Sequence, residues 1–296
     1  MKLKSNLSIG SLVTSSTERR RISMKHRIIN ALFALMLLIS NTSASFAHGG
    51  GSRRPTLHVN PKWKECSFQL DPSLTQKAWH QFTEEAGLVT YFRAMTDARP
   101  MGVWKFELSA VQWKTGIDNS DDAWNNTFVH PDSTHWLSEK SGLKFPGLIF
   151  RLGVTDKIDV GGYFTKNPDA NYGFWGGQIQ YNLIHEAKND WDVAARASVV
   201  SLFGPKDLDF SVYGLDLLTS KKLVVRKWAS LSPYAGVSTY FANSHEKTSA
   251  VHLGDEHILG LMGTVGTVAQ ISVARIAAEY NIAKVNSFSI KVGVSF

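Results

Sequence analysis

From residue 88 onward, apolar and polar residues alternate in short segments, the period-two pattern that predicts β-strands. In the segment 102–113, Phe106 and Leu108 fall on one face, whereas Lys105 and Glu107 fall on the other. Short connections rich in Gly, Pro, Asn and Asp separate many of the segments. Eleven candidate strands result: 88–96, 102–113, 146–155, 158–165, 173–184, 191–202, 209–219, 231–241, 257–268, 271–281 and 287–296.

One stretch before these segments has the period of a helix. Asp71 followed by Pro72 is typical of a helix N-terminus, and Gly87 is typical of a helix C-terminus. The sequence therefore predicts a short helix over 72–86. Its apolar face is marked by residues at four-residue spacing: Leu74, Ala78 and Phe82.

The first 47 residues have the features of a leader with a secretory signal peptide. A basic start at Met24 is followed by an apolar stretch of twelve residues, Ile28–Ile39, and by a small-residue cleavage site that ends at Ala47. Twelve residues are too few for a membrane-spanning helix, which needs about 20. We expect translation to start at Met24 and the general secretory route to export a chain that begins near His48.

Net charge and cysteine content exclude several classes of protein. The chain has a formal net charge of +7, but the leader holds seven basic residues and one acidic residue, so the remainder carries only +1. This balance argues against a nucleic-acid partner. A single cysteine, Cys66, excludes an intrachain disulfide and a metal site with two or more cysteines. We expect no cofactor and no metal.

Alternating strands also occur in soluble antiparallel sheets, so the pattern alone leaves a soluble periplasmic β-barrel or β-sandwich binding protein open. Three further features favour a transmembrane barrel. The chain has an export signal, aromatic residues such as Trp113 and Trp191 lie near strand ends, and the last strand ends on Phe296. Strands can cross a bilayer only as a closed barrel, because every backbone polar group needs a partner there.

The strand count and the connection lengths predict the size and orientation of the barrel. Bacterial single-chain barrels have even numbers of strands. An extra strand near Cys66–Leu70 would make twelve, and merging two weak segments would make ten. We predict an all-β, antiparallel transmembrane β-barrel of about 12 strands, with 10 as the alternative. The longest connections, 115–142 and 242–256, should lie outside the cell. The expected organisation is a leader at 1–47, an N-terminal polar segment with the helix at 48–86, and the barrel at 87–296.

Four motifs resemble a family of uncharacterised bacterial outer-membrane β-barrel proteins. They are Phe82–Gly87, Gly142–Pro146, Leu208–Lys221 and Leu231–Val237. The resemblance implies a barrel domain but supplies no substrate. The chain departs from the family pattern between Lys221 and Ser230, where Lys-Leu-Val-Val-Arg-Lys-Trp-Ala lengthens a turn.

The charged residues in the middle of the strands are the candidate functional residues. Facing the lumen, they can form a salt-bridged core in a closed barrel, or line a pore and set its ion preference. The helix at 72–86 is a candidate plug. The predicted lumen-facing charges are Lys105, Glu107, Arg151, Arg196, Arg275, Glu279 and Lys291.

The last strand is a candidate assembly signal. Its alternating apolar residues resemble the C-terminal segment by which outer-membrane barrels are recognised during assembly. The expected partners are therefore outer-membrane lipid and the barrel-assembly machinery. The residues of this signal are Phe288, Ile290, Val292, Val294 and Phe296.

Histidines and acids cluster in both long connections but form no compact metal or catalytic motif. We interpret them as solvated loop residues and predict no catalytic residue. The expected function is an outer-membrane barrel, structural or a narrow channel for small solutes. A barrel enzyme acting on lipid or peptide at the outer rim is the alternative, and it requires a His–acid–Ser cluster there. The loop residues are His130, Asp132, His135, His245, Glu246, His252, Asp255, Glu256 and His257.

Overall fold

The computed structural model describes residues 66–118, 120–129, 137–138, 142–186 and 190–296. The predicted leader, cleavage site and start, and the loop residues His130, Asp132 and His135, lie outside the described residues. Two helices are α1 (Gln76–Thr90) and α2 (Asp122–Asn125). The strands are β1 (Ser67–Phe68), β2 (Phe106–Thr115), β3 (Phe128–Val129), β4 (Leu137–Ser138), β5 (Gly142–Gly153), β6 (Ile158–Lys166), β7 (Gly173–Glu186), β8 (Trp191–Phe203), β9 (Leu208–Lys221), β10 (Leu223–Arg226), β11 (Ala229–Glu246), β12 (Glu256–Ile271), β13 (Ala274–Ile282) and β14 (Ser287–Ser295).

Within the described residues, ten long strands close into one antiparallel barrel: β2, β5 to β9 and β11 to β14. Each strand pairs with its neighbour along the chain, and the last strand pairs with the first from Ser287–Thr115 to Ser295–Glu107. Phe296 then exchanges two backbone hydrogen bonds with Phe106, at 2.9 and 3.0 Å. A closed ring without a gap excludes the β-sandwich alternative. The predicted barrel is confirmed, with the alternative count of ten rather than twelve.

The strand count differs from twelve because two expected strands do not join the wall. Residues 88–96 are not a strand: they continue α1 and then run through the lumen, buried on all sides. The predicted strand near Cys66–Leu70 is reduced to Ser67–Phe68, which pairs with Phe128–Val129 in a separate two-stranded sheet. Alternation shows only that one face is buried. It does not distinguish a wall strand from a segment that the wall encloses.

Helix α1 begins and ends four residues later than predicted. Asp71 accepts hydrogen bonds from Ser73 and forms a turn, and Thr75 caps the helix instead by accepting from the backbone of Ala78 at 3.2 Å. Gly87 lies inside the helix and does not end it. A Cβ at Gly87 would come within 2.8 Å of the Ala242 side chain, so this glycine permits close packing of the helix against the wall.

The two ends of the barrel differ in the length of their connections. At one end, called the turn end, the connections are 154–157, 187–190, 222–228 and 272–273. At the other, called the loop end, they are 116–141, 167–172, 204–207, 247–255 and 283–286. Both connections predicted to be longest lie at the loop end. Outer-membrane barrels have short periplasmic turns and longer extracellular loops, so this asymmetry favours an extracellular loop end.

The outer face of the wall is apolar. Leu259 and Leu261 are 74% and 79% exposed, and similar side chains continue around the barrel. Among the described residues, no helix combines the length and apolar character needed to span a bilayer. An apolar outer band around a polar lumen is typical of a membrane-spanning barrel. Other exposed members of the band are Leu108, Leu148, Phe150, Phe164, Trp175, Ile179, Leu215, Leu217, Val237, Val265, Ile276, Tyr280 and Ile290.

Candidate functional site

The lumen is occupied by the chain's own N-terminal part, called the plug and defined as α1 with the following segment 91–101. Helix α1 begins at the loop end, where Gln76 hydrogen-bonds Gly254 and Glu256. The segment after it reaches the turn end, where the backbone of Met101 donates to Asp159 at 3.1 Å. The plug thus runs the length of the barrel, and residues 102–105 then lead into β2.

Aromatic side chains fill the half of the lumen nearer the loop end, called the aromatic zone. Phe82 of α1 stacks on Trp79 at 5.4 Å and meets Trp124 of α2 edge-on at 5.2 Å. Trp124 in turn donates its indole N–H to Glu85 at 2.6 Å, so α2 is hydrogen-bonded to the plug. Further members are Phe68, Trp113, Phe128, Phe145, Tyr163, Tyr172, Phe174 and Phe210.

The packing of the aromatic zone is nearly complete. A residual cavity of about 20 Å³ remains between α1 and the wall, lined by residues that include Phe82, Phe145 and Phe210. Such a volume holds about one water molecule. Trp113 on the wall donates its indole N–H to the backbone oxygen of Val89 at 2.7 Å, which ties the end of α1 to β2. Within the described residues, aromatic side chains of α1, α2 and the wall thus occupy this half of the lumen.

Charged side chains fill the half nearer the turn end, called the ionic zone. Among the described residues it contains five cations and six carboxylates that are buried, and one of these carboxylates, Asp192, pairs with the partly buried Arg99 at 3.1 Å. The pairing allows a buried network, because a buried charge is tolerated when it is paired. The eleven residues are Arg93, Asp97, Glu107, Arg151, Asp159, Asp192, Arg196, Asp216, Arg275, Glu279 and Lys291.

Glu107 of β2 is at the centre of one part of this network. Its carboxylate contacts Lys291 and Arg275, the latter at 3.2 Å, and lies 4.0 Å from Arg151. Arg275 also reaches Asp97 of the plug, at 2.7 Å. Four wall strands, β2, β5, β13 and β14, are thereby connected through one carboxylate to a charge on the plug.

Arg196 of β8 is at the centre of a second part. It contacts Asp216 at 2.8 Å and donates to the backbone oxygen of Phe92 in the plug at 2.6 Å. Tyr91 of the plug donates its hydroxyl to Asp216 at 2.7 Å. The ion pair therefore binds the plug at two consecutive residues, through the Tyr91 hydroxyl and the Phe92 carbonyl oxygen.

The backbone of the plug is bonded to wall side chains rather than to wall backbone. Met95 N–H donates to Glu279 at 2.7 Å, and Ala98 N–H donates to Ser220 at 3.0 Å. Asn182 donates to the carbonyl oxygen of Ala98 at 3.1 Å. This pattern explains why the segment forms no strand although it is extended and deeply buried.

The plug also needs space inside the wall, and glycine provides it. A Cβ at Gly214 would lie 2.5 Å from the Tyr91 ring and 2.7 Å from the Ser198 hydroxyl. The Tyr91 ring therefore sits against bare backbone of β9. A larger residue at Gly214 would displace the ring that donates to Asp216.

The structure places six of the seven predicted lumen-facing charges inside the lumen and one outside it. Glu107, Arg151, Arg196, Arg275, Glu279 and Lys291 are buried in the ionic zone. Lys105 does not face the lumen. It is exposed in the turn 102–105, because β2 begins only at Phe106 and the alternation does not extend to the turn.

Sequence reasoning missed five members of the ionic zone: Arg93, Asp97, Asp159, Asp192 and Asp216. Arg93 lies in the segment 88–96, which the sequence predicts as a weak strand, and Asp97 directly follows that segment. Asp159 and Asp192 lie on the polar faces of predicted strands, where the alternation assigns them no role. Asp216 is hard to recognise as an inward-facing residue, because β9 has leucines on both faces and its alternation is therefore weak. The signal that could have found them is charge balance, since buried cations require carboxylates.

The C-terminal residues proposed as an assembly signal lie on the outer side of β14. Phe288 and Ile290 are exposed, and Val292, Val294 and Phe296 are partly exposed. Lys291 points inward between them and is buried. The strand thus has a lipid-facing apolar row and pairs with β2 along its full length.

The loop-end histidines form separate pairs. His80 contacts Glu256 at 2.7 Å, and His245 contacts Asp255 at 2.6 Å. His257 stacks on Phe241 at 5.9 Å, and His252 is exposed. Within the described residues, no group of three or more His, Cys, Asp or Glu side chains is placed to hold a metal ion.

Comparisons with known proteins show a distant likeness to outer-membrane barrels. No family model and no curated protein sequence matches this chain. The β domain of the Bordetella autotransporter BrkA aligns over 65% of this chain and 100% of its own, with 12% identity and a TM-score of 0.40. LpxR from Salmonella typhimurium aligns over 64% and 99%, with 9% identity and a TM-score of 0.33.

The N-terminal β-barrel domain of Pseudomonas aeruginosa OprF aligns over 66% of this chain and 99% of its own, with 11% identity and a TM-score of 0.29. At this level of similarity, the functions of these proteins cannot be transferred to this chain. The resemblance to a family of uncharacterised outer-membrane proteins stays an interpretation of the sequence motifs. The chain folds as a closed antiparallel barrel of ten strands within the described residues.

Proposed function

We propose that this protein is a structural outer-membrane barrel whose lumen is closed to solutes by its own plug. The observation that carries the proposal is the burial of Tyr91 to Ala98 along the axis of the barrel, with wall charges bonded to them at several levels. An aqueous channel needs a continuous polar path, and here the aromatic zone interrupts it.

The proposed location is the outer membrane. Its support is the apolar outer band, the antiparallel ring and the short connections at one end. The C-terminal row Phe288, Ile290, Val292, Val294 and Phe296 is the proposed contact for the barrel-assembly machinery, since it is the accessible face of the last strand. Export by a secretory signal belongs to the same proposal.

A conductance experiment tests the closed lumen. The mature chain is refolded in detergent and inserted into planar bilayers. We expect no steady conductance from the wild type. Asp97→Lys should produce conductance steps, because it places a cation beside Arg275 and Arg151 and repels the plug from the wall.

The matched control is Asp156→Lys, which makes the same charge change in an exposed connection at the same end of the barrel. It should behave like the wild type. A steady conductance of the wild type would contradict the closed lumen and favour a narrow channel for small solutes. Heat-modifiable migration on gels shows in each case that the barrel has folded.

A further inference from the structure

The connection between β9 and β11 at the turn end is unlike the others there. It contains β10, whose four residues Leu223–Arg226 are all exposed. Val224 and Trp228 are 66% and 61% exposed. By contrast, the connections 154–157 and 272–273 are short and contain few large apolar side chains. Its length and composition therefore need an explanation. We call residues 221–228 the basic hairpin arm.

The arm extends the wall without being enclosed by it. Strand β10 pairs with β11 in the register that continues from β9, with Leu223 opposite Leu231. Within the described residues, its other edge pairs with no strand. An exposed strand edge with apolar side chains is typical of a surface that binds another molecule or a membrane.

The outer face of the arm continues the lipid-facing band. Along β9, every second residue points outward, and Leu215 and Leu217 are exposed there. The same alternation carries outward to Leu223 and Val225 on β10, next to exposed Leu231 on β11. On β9 this row contains Thr219 and Lys221 between Leu217 and Leu223. The apolar surface therefore continues to the arm along β11, from Val237 to Leu231.

The arm is also strongly basic. It contains four cations, and the sequence has no acidic residue between Asp216 and Glu246. Lys221 lies over the Trp191 ring at 5.4 Å, a lysine–tryptophan pair of the kind found at membrane interfaces. The four cations are Lys221, Lys222, Arg226 and Lys227.

We propose that the basic hairpin arm binds the headgroups of anionic phospholipids in the leaflet at the turn end of the barrel. Its apolar side chains enter the interface beside the barrel wall, and its cations contact the lipid phosphates. Charge complementarity and continuity with the apolar band select lipid as the occupant. The proposal rests on the proposed placement of the barrel in a membrane.

The test measures lipid binding to the refolded full mature chain in a neutral detergent by native mass spectrometry. Phosphatidylglycerol and phosphatidylcholine are the two probes. We expect the wild type to bind phosphatidylglycerol more tightly. Arg226→Ser combined with Lys227→Ser should weaken that binding about 10- to 30-fold, since each cation near an anionic surface contributes several-fold. Trp228→Ser is a second variant and should weaken binding of both lipids.

The matched control is Lys105→Ser combined with Lys157→Ser, which removes two exposed cations from the same end outside the arm. It should retain wild-type preference. Equal affinity of the wild type for both lipids, or equal losses in both double variants, would overturn the proposal. An arm variant that binds phosphatidylglycerol like the wild type would also overturn it. A chain that stays soluble without detergent would instead contradict the membrane placement itself.

Discussion

The two halves of the lumen hold the same plug by different physics. In the aromatic zone, rings of α1, α2 and the wall pack at centroid distances of about 4 to 6 Å. In the ionic zone, each charge has partners at specific atoms, as Arg196 has with Asp216 and the Phe92 carbonyl. Apolar contact depends on area and tolerates adjustment. A buried charge depends on its particular partner.

This difference explains how the plug can be stable and also be held at one position along the barrel axis. Burial of aromatic area in the first zone favours a filled lumen but gives little preference for one position along the axis. The ionic zone supplies that preference, because a shift of one residue would separate Asp97 from Arg275 and Tyr91 from Asp216. We therefore expect the aromatic zone to supply most of the net stabilisation. The ionic zone fixes the register, because leaving one of its charges without a partner is costly.

The largest effect should come from removing one partner of the ionic zone. Asp216→Ala leaves Arg196 buried without its carboxylate, and the loss in unfolding free energy should be about 3–5 kcal/mol. Denaturant titration of the refolded barrel, followed by gel mobility, measures it. The double variant Arg196→Met with Asp216→Leu removes both charges and should recover most of the loss. A double variant as unstable as the single would show that the Tyr91 and Ser238 hydrogen bonds matter more than the ion pair.

A smaller loss is expected from overfilling the space for Tyr91. Gly214→Leu should cost about 1–3 kcal/mol, because its Cβ alone would lie 2.5 Å from the ring. The same variant should raise conductance in planar bilayers by displacing the plug. Gly177→Leu is a suitable comparison, since a Cβ there meets no atom closer than 4.0 Å. Equal effects at both positions would argue against a specific contact with the plug.

A conservative change in the aromatic zone should be milder still. Phe82→Leu keeps an apolar side chain of similar volume, so we expect a loss below about 1.5 kcal/mol and no conductance. The near-isosteric change in the other zone, Asp216→Asn, should cost more, because it removes a charge that Arg196 requires. The reverse order of these two losses would break the proposed division between the zones.

The smallest effect concerns the rim at the turn end. Arg99 hydrogen-bonds Asp190 at 2.8 Å, and this contact lowers the pKa of that carboxyl from its ordinary value of 3.8. A lowered pKa in the folded state stabilises the protein above the unfolded value, and the gain is lost as the pH falls through the lowered value. Asp190→Asn removes this carboxylate but keeps the contact of Arg99 with buried Asp192, so it should reduce the unfolding midpoint slightly at pH 7 and leave it nearly unchanged at pH 2. Equal reductions at both pH values would point to lost packing instead.

Much of the wall could be predicted from the sequence, because a lipid-facing strand must alternate. The ten segments from 102–113 to 287–296 all correspond to wall strands. The inward charges Glu107 and Lys291 followed from the same alternation, since both lie opposite apolar outward neighbours. The error at Lys105 shows the limit of the pattern, because alternation does not reveal where a strand ends.

The part of the plug that follows α1 could not be predicted in the same way. Leu88 to Ala98 are buried all round, and such a segment shows no regular period that would mark one polar face. Its backbone bonds go to Glu279, Ser220 and Asp159, which are distant in sequence. The aromatic zone depends equally on long-range contacts, such as that between Trp124 and Glu85. Local sequence carries no record of such pairings.

The direction in which the plug crosses the lumen has a consequence for assembly. Only residues 102–105 separate the plug from β2, and β2 is one side of the seam with β14. If the seam formed first, the free N-terminal end would have to pass through a finished ring. The simpler order is that the seam forms last. The plug first packs against the inner face of the curved sheet from β5 to β14, and β2 then pairs with β14 and encloses the plug. The contact of Phe106 with Phe296 is then among the last to form, and the enclosed segment is retained because the ring has been completed around it.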